Sequence, residues 1–186
     1  MSREYCEECT RPRSECYCSD IVEIESPVKI IIIQHPKEQK HPYNTGRIVH
    51  KCIANSELII AEVLDTKNID QLVTADSTLL FPEMNWLAPS AEPQVPVKQL
   101  IVIDATWKKA KKILHLNPDL QRLPRLSLSE QSKSNYQIRT STVPNGLSTI
   151  ESVTEALESL QPKMQFDKLL IPFQKMVSLA QRYIPE

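Results

Sequence analysis

The chain has 186 residues, 41% hydrophobic and 24% charged, with a net charge of −1, which suits one soluble domain with an appendage. Average usage would give about thirteen glycines, but only Gly46 and Gly146 are present, so neither G-x-G-x-x-G nor G-x-x-x-x-G-K-[ST] occurs. Glycine-rich cradling of a nucleotide pyrophosphate at a helix start is thereby disfavoured. No run approaches the length of about eighteen apolar residues that a membrane span needs, and Met1–Tyr5 lacks the apolar segment of a signal peptide. The expected location is the cytoplasm, with no membrane partner.

The first predicted unit is a small cysteine-bearing module over residues 1–26, ahead of an α/β domain over 27–186. Cys6-x2-Cys9-x6-Cys16-x-Cys18 gathers four sulfurs within thirteen residues. That density suits a closed tetrahedral zinc site, structural because no position is left open for water. Two disulfides or free thiols are the alternatives, the former at odds with a cytoplasmic chain. The module is acidic, with seven acids against three arginines. In its loop, Arg11 and Arg13 are candidates for RNA contact, as in zinc knuckles, or for pairing with neighbouring acids.

Val28-Lys29-Ile30-Ile31-Ile32-Ile33-Gln34 reads as a strand covered on both faces, ended by His35-Pro36. Ile48, Val49, Cys52 and Ile53 fall at helical spacing between Thr45 and Ala54, which makes Cys52 a core residue. Strands are predicted at Leu58–Val63 and Thr78–Phe81, and a proline-rich loop spans 82–97. Lys98–Asp104 is another buried strand, closing on an acid. The helix that follows sets Trp107, Ala110, Ile113 and Leu114 against Lys108, Lys109, Lys111 and Lys112. Residues 98–125 hold seven basic side chains against two acids. This block is either a solvated helix face or a surface for phosphate backbone.

Short strands are predicted at Leu123–Leu128 and Tyr136–Arg139. Ser148-Thr149-Ile150-Glu151 fits a capping box that opens a helix running to Pro162. A last helical region, Phe166–Tyr183, is expected to break or kink at Pro172. Alternating strands and helices imply a mainly parallel sheet, whose ligands sit beyond the carboxyl ends of the strands. Gln34, His35 and Asp104 are the residues at those ends.

Asp104-Ala105-Thr106-Trp107 lies where a buried strand hands over to the basic helix. An acid there can serve as a general base once partial burial lifts its pKa, or simply cap the helix. Thr106 is a second capping candidate, and Trp107 reads as core or as a ligand platform. This Asp-x-Thr-Trp strand end resembles the signature of the DTW-domain family. Further matches are Gln34-His35-Pro36-x-Glu38, Asn44-Thr45-Gly46-Arg47, Leu79-Leu80-Phe81-Pro82, Tyr136-x-x-Arg139 and Leu147-Ser148-Thr149-x-Glu151, together with the cysteine pattern. The resemblance covers nearly the whole chain and is nearest to the bacterial tRNA-uridine aminocarboxypropyltransferases. Ala105, where glycine is frequent, and Ser152, where alanine is common, depart from the family pattern.

The resemblance implies a SPOUT-like α/β fold with a C-terminal trefoil knot, which sequence physics alone would not propose. It implies transfer of the 3-amino-3-carboxypropyl group of S-adenosylmethionine to ring N3 of a variable-loop uridine in tRNA, releasing methylthioadenosine. It further implies a monomer, catalytic roles for Asp104, Thr106 and Trp107, and phosphate contact by Lys108, Lys109, Lys111 and Lys112. The donor would meet Thr45, Arg47, Leu80, Phe81, Asp104, Arg139, Leu147, Ser148 and Thr149. Asp104 would take the uridine proton or orient the donor's amino group. Arg47 and Arg139 would hold a carboxylate or phosphate, or form structural ion pairs. Both glycines fall beside this expected pocket. The rival readings are a SPOUT-type RNA methyltransferase and a non-catalytic zinc-bearing RNA-binding module.

Overall fold

The computed structural model describes residues 4–93, 95–128 and 147–182. In chain order its elements are β1 (Lys29–Gln34), α1 (Thr45–Cys52), β2 (Ser56–Ile60), α2 (Thr66–Leu72), β3 (Ser77–Leu80), β4 (Gln99–Asp104), α3 (Trp107–Leu116), α4 (Pro118–Gln121), β5 (Arg125–Leu126), α5 (Thr149–Leu160) and α6 (Leu170–Gln181). The strands form one sheet in the order β2-β1-β4-β3-β5, every neighbouring pair parallel.

Both central strands are apolar on both faces, and the period of two divides them between two cores. Ile30, Ile32, Leu100 and Val102 face a core shared with Ile48, Val49, Val153, Leu157 and Met176 of α1, α5 and α6. Ile31, Ile33 and Ile101 face the opposite core, with Leu72, Ile113 and Leu114 of α2 and α3. The result is a helix–sheet–helix sandwich. β2 is an edge strand and leaves Ile60 41% exposed.

The order places a topological switch between β1 and β4. From β1 the chain crosses outward to β2, whereas β3 and β5 lie on the far side of β4. The carboxyl ends of β1 and β4 are in register, Gln34 opposite Asp104. That crevice is where an open parallel sheet binds its ligand.

Side-chain caps fix the starts of α1 and α5. Asn44 accepts from the Arg47 N–H at 2.7 Å, and Ser148 and Glu151 complete the predicted capping box. The expected break at Pro172 is absent. Pro172 stands third in α6, within the first turn, where no intrahelical partner for its N–H is required. α2 escaped the sequence reading because only Leu72 of its seven residues is buried. The predicted strand at 136–139 lies outside the described residues.

The cysteine segment is packed onto the sheet domain rather than held apart. Cys9, Tyr17 and Ile24 belong to the same core as Ile30, Ile48 and Phe166, and Ile24 bridges Ile53. Among the described residues no helix is long and apolar enough to cross a membrane.

Candidate active site

Asp104 ends β4 with only 4% of its surface exposed. A buried carboxylate must be met by donors, and three motifs distant in sequence supply its surroundings. Gln34 Nε2 donates to Oδ2 at 2.7 Å, and Thr149 Oγ1 donates to Oδ1 at 2.6 Å. The third side is Gly46, in the first turn of α1. A Cβ built on Gly46 would stand 2.6 Å from Oδ2 and 2.7 Å from Cγ of Asp104. Glycine is required here by close approach, since any side chain would occupy the carboxylate's place. In the residue before it, the hydroxyl of Thr45 is buried without a hydrogen-bond partner among the described residues, an unfilled polar valence.

Ser148 and Thr149 divide the labour at the start of α5. The Ser148 hydroxyl and N–H both bond Glu151 Oε2, at 2.7 and 2.8 Å, while Thr149 reaches the strand end. Leu80 lines the same side of the sheet as Asp104, and Phe81 the opposite side. Asp104 does not cap α3. Thr106 occupies that position, exposed and without a side-chain cap bond. Trp107 is half-buried across the sheet, its ring edge-on to Phe81 at 5.8 Å. Trp107 thus packs on the side of the sheet away from Gly46 and Thr149. Arg139 and Gly146 lie outside the described residues.

Two arginines are structural. Arg11 is 1% exposed; it pairs with Glu15 at 2.8 Å, donates to the Pro42 carbonyl at 2.9 Å and stacks over Tyr43. That corrects its expected RNA contact, because a buried guanidinium with its donors spent inside has nothing to offer a phosphate. Arg13 remains exposed, 3.6 Å from Glu4. Arg47 donates to the Cys9 carbonyl at 2.8 Å, to Thr10 Oγ1 at 2.7 Å and to the Gln39 carbonyl. It ties the cysteine segment to α1 through two carbonyls and a hydroxyl, with no ion pair to an acid among the described residues.

The four lysines of α3 also separate. Lys109 pairs with buried Glu38 at 2.6 Å, and Lys112 with Glu62 at 2.8 Å. Glu62 also accepts from His35 Nε2 at 2.7 Å. The Lys112 bond, then that of His35, holds its carboxyl below the usual range. His35 Nδ1 accepts from the Lys37 N–H at 3.1 Å, so this histidine fixes the turn after β1. Lys108 and Lys111 form no ion pair among the described residues.

The sulfurs of Cys6, Cys9, Cys16 and Cys18 all lie within 4.8 Å of one another, with Cys6–Cys18 at 3.9 Å and Cys9–Cys16 at 3.8 Å. Tetrahedral metal–sulfur bonds of about 2.3 Å set sulfurs about 3.8 Å apart. The cluster is thus compatible with a structural metal, and the cysteines are free rather than paired in disulfides. The Cys9 N–H holds the Cys6 thiol down to about 6, while burial pushes the Cys9 and Cys18 thiols up.

A model of the DTW domain matches residues 3–181. The chain belongs to the DTW-domain family. A tRNA-uridine aminocarboxypropyltransferase 2 of Drosophila melanogaster is 28% identical over 91% of this DTW chain and 71% of its own length. A tRNA-uridine aminocarboxypropyltransferase A of Arabidopsis thaliana is 32% identical over 60% of the chain, and a tRNA-uridine aminocarboxypropyltransferase 2 of Mus musculus 26% over 95%. The chain spans half the length of the plant relative and 63% of the mouse one. No solved structure matches it significantly.

The DTW aspartate and Gly46 form one steric unit. Gly46→Ala is expected to destabilise the protein by about 1–3 kcal/mol, the usual cost of overpacking. In an Asp104→Ala background the same change should cost much less, because its clash partner is gone. Urea denaturation of the four proteins checks this; equal costs in both backgrounds would contradict the contact.

Proposed function

We propose that this DTW protein transfers the 3-amino-3-carboxypropyl group of S-adenosylmethionine to ring N3 of a uridine in tRNA, releasing methylthioadenosine. The observation that carries the reading is the convergence of three family motifs, Gln34, Gly46 and Thr149, on Asp104 at the sheet's switch point. The names of the relatives support a transferase acting on tRNA uridine. The SPOUT-like assignment with a C-terminal trefoil knot, and a monomeric state, belong to the same proposal. The all-parallel switched sheet supports the fold assignment.

When bound, the sulfonium supplies a leaving group at each of its three carbons, so selecting the γ-carbon is a matter of positioning. The N3–Cγ bond forms as the Cγ–S bond breaks with its electron pair going to sulfur, methylthioadenosine leaves, and the N3 proton passes to solvent. The chain's part is to fix geometry around a buried carboxylate. Both oxygens of Asp104 are engaged and its surface is 4% exposed. We therefore assign it as a positioning residue that orients Thr149, Gln34 and the 147–149 backbone toward the donor. Thr45 fits the donor by its unpartnered buried hydroxyl and Leu80 by its apolar side chain on the same face. Arg139 is the proposed anchor for the donor's carboxylate. Arg47 acts through the cysteine segment instead.

A thiolate-rich, closed donor set favours zinc as a structural ion. It would brace the loop that carries Cys9 and Thr10, and through Arg47 the first turn of α1.

Chromatography of the products formed from S-adenosylmethionine and tRNA is expected to show methylthioadenosine. S-adenosylhomocysteine would instead establish methyl transfer, and no turnover a binding module. Asp104→Asn should weaken donor binding by about tenfold or more, since hydrogen bonds to charged groups are worth about 1.5–3 kcal/mol. Unchanged donor affinity with lost turnover, seen by calorimetry and rate assay, would make Asp104 the proton acceptor. Metal analysis should find about one zinc per chain and a large loss in Cys16→Ser, with a lower Tm; full occupancy in the variant would contradict the four-sulfur site.

A further inference from the structure

On the α3 side of the sheet, Met84, Trp86, Trp107, Lys108 and Lys111 line an open cleft of about 330 Å³. Phe81 joins its two indoles edge-on, at 6.1 Å from Trp86 and 5.8 Å from Trp107. Lys111 Nζ lies 4.9 Å from the centre of the Trp86 ring. Both tryptophans are only half-buried. The two lysines here are the members of the α3 quartet that form no ion pair among the described residues, while Lys109 and Lys112 are bound to Glu38 and Glu62.

The loop bearing Met84 and Trp86 is clamped in place. Arg125, with its side chain 0% exposed, pairs with Glu83 at 2.8 Å and also donates to the Ala88 carbonyl. Leu87 is buried in the core below. The aromatic surface is thus presented preformed, which lowers the ordering cost of binding.

We propose that this cleft is a stacking site for an unpaired nucleotide of the tRNA. Flat aromatic faces with a thioether accept any base by stacking, and the Lys108 and Lys111 ammonium groups at the rim meet its phosphate. The volume sits at the small end of the range of about 300–1,000 Å³ for small-molecule sites, fitting one nucleotide better than a peptide segment. Asp104 and its partners lie on the opposite face of the sheet, so the cleft is separate from the proposed donor crevice. This inference rests on the tRNA reading above.

Trp86 and Trp107 are the chain's two tryptophans, so indole emission reports on this cleft alone. Saturation of the full chain with unmodified tRNA, or with a short oligouridylate at low salt, is expected to quench that emission. Trp86→Ala should weaken tRNA binding by about tenfold, the worth of one stacked base, and Trp86→Phe should recover most of the loss. A Lys108→Gln, Lys111→Gln pair should weaken binding and flatten its salt dependence, whereas Lys109→Gln and Lys112→Gln should not. tRNA retained on filters with unchanged emission, or bound equally by Trp86→Ala, would overturn the stacking site and leave the transfer reading intact. Absence of any tRNA binding would remove the reading beneath it. Emission that responds to protein concentration but not to RNA would make the cleft a self-association surface.

Discussion

The site depends on one buried carboxylate. Asp104 is removed from water at the junction of β1, β4, α1 and α5, where an unpartnered charge would be strongly destabilising. Its two oxygens are met by Gln34 and Thr149, and its third side by the bare backbone of Gly46. Each contact comes from a different stretch of the chain, so the acid can be accommodated only once the sheet, the first turn of α1 and the start of α5 have all assembled. The aspartate thereby couples tertiary assembly to the shape of the crevice. The same coupling explains how the motifs can stand far apart in sequence and still answer to one chemical requirement.

A second set of contacts carries the cysteine segment to that crevice. Arg47 follows Gly46 by one residue and bonds the loop that holds Cys9 and Thr10. Arg11 reaches the Pro42 carbonyl just before the α1 cap. The sulfurs lie away from Asp104 in sequence, yet the loop they define braces the helix start that presses against it. A closed metal site there would serve geometry rather than chemistry.

The parallel sheet and its strand ends were legible because Ile30–Ile33 and Leu100–Ile103 are apolar at every position, a pattern suited to strands buried on both faces. Gln34 and Asp104 stood out as the polar residues that end those runs, and the capping box at Ser148 has a signature of its own. Side-chain partnerships were less accessible. Nothing in the spacing of Lys108, Lys109, Lys111 and Lys112 shows that alternate members are bound to acids from other elements, since Glu38 and Glu62 meet α3 only through the fold. Arg11 looked like a surface arginine because its burial is created by Tyr43 and Pro42, thirty residues away. Trp86 sat in a proline-rich loop without periodicity, and its placement depends on Arg125 reaching back from β5. Asp104 ends β4 and Trp107 opens α3, and the tryptophan packs with Ile31, Ile33 and Ile101 on the side of the sheet away from Gly46 and Thr149.

The most direct measurement is mass spectrometry of tRNA nucleosides after incubation of unmodified tRNA with the protein and S-adenosylmethionine. Aminocarboxypropyl transfer would add the mass of that group to a uridine, with fragmentation placing it on the base. A uridine carrying only a methyl, or tRNA left unmodified while the protein binds both substrates, would contradict it.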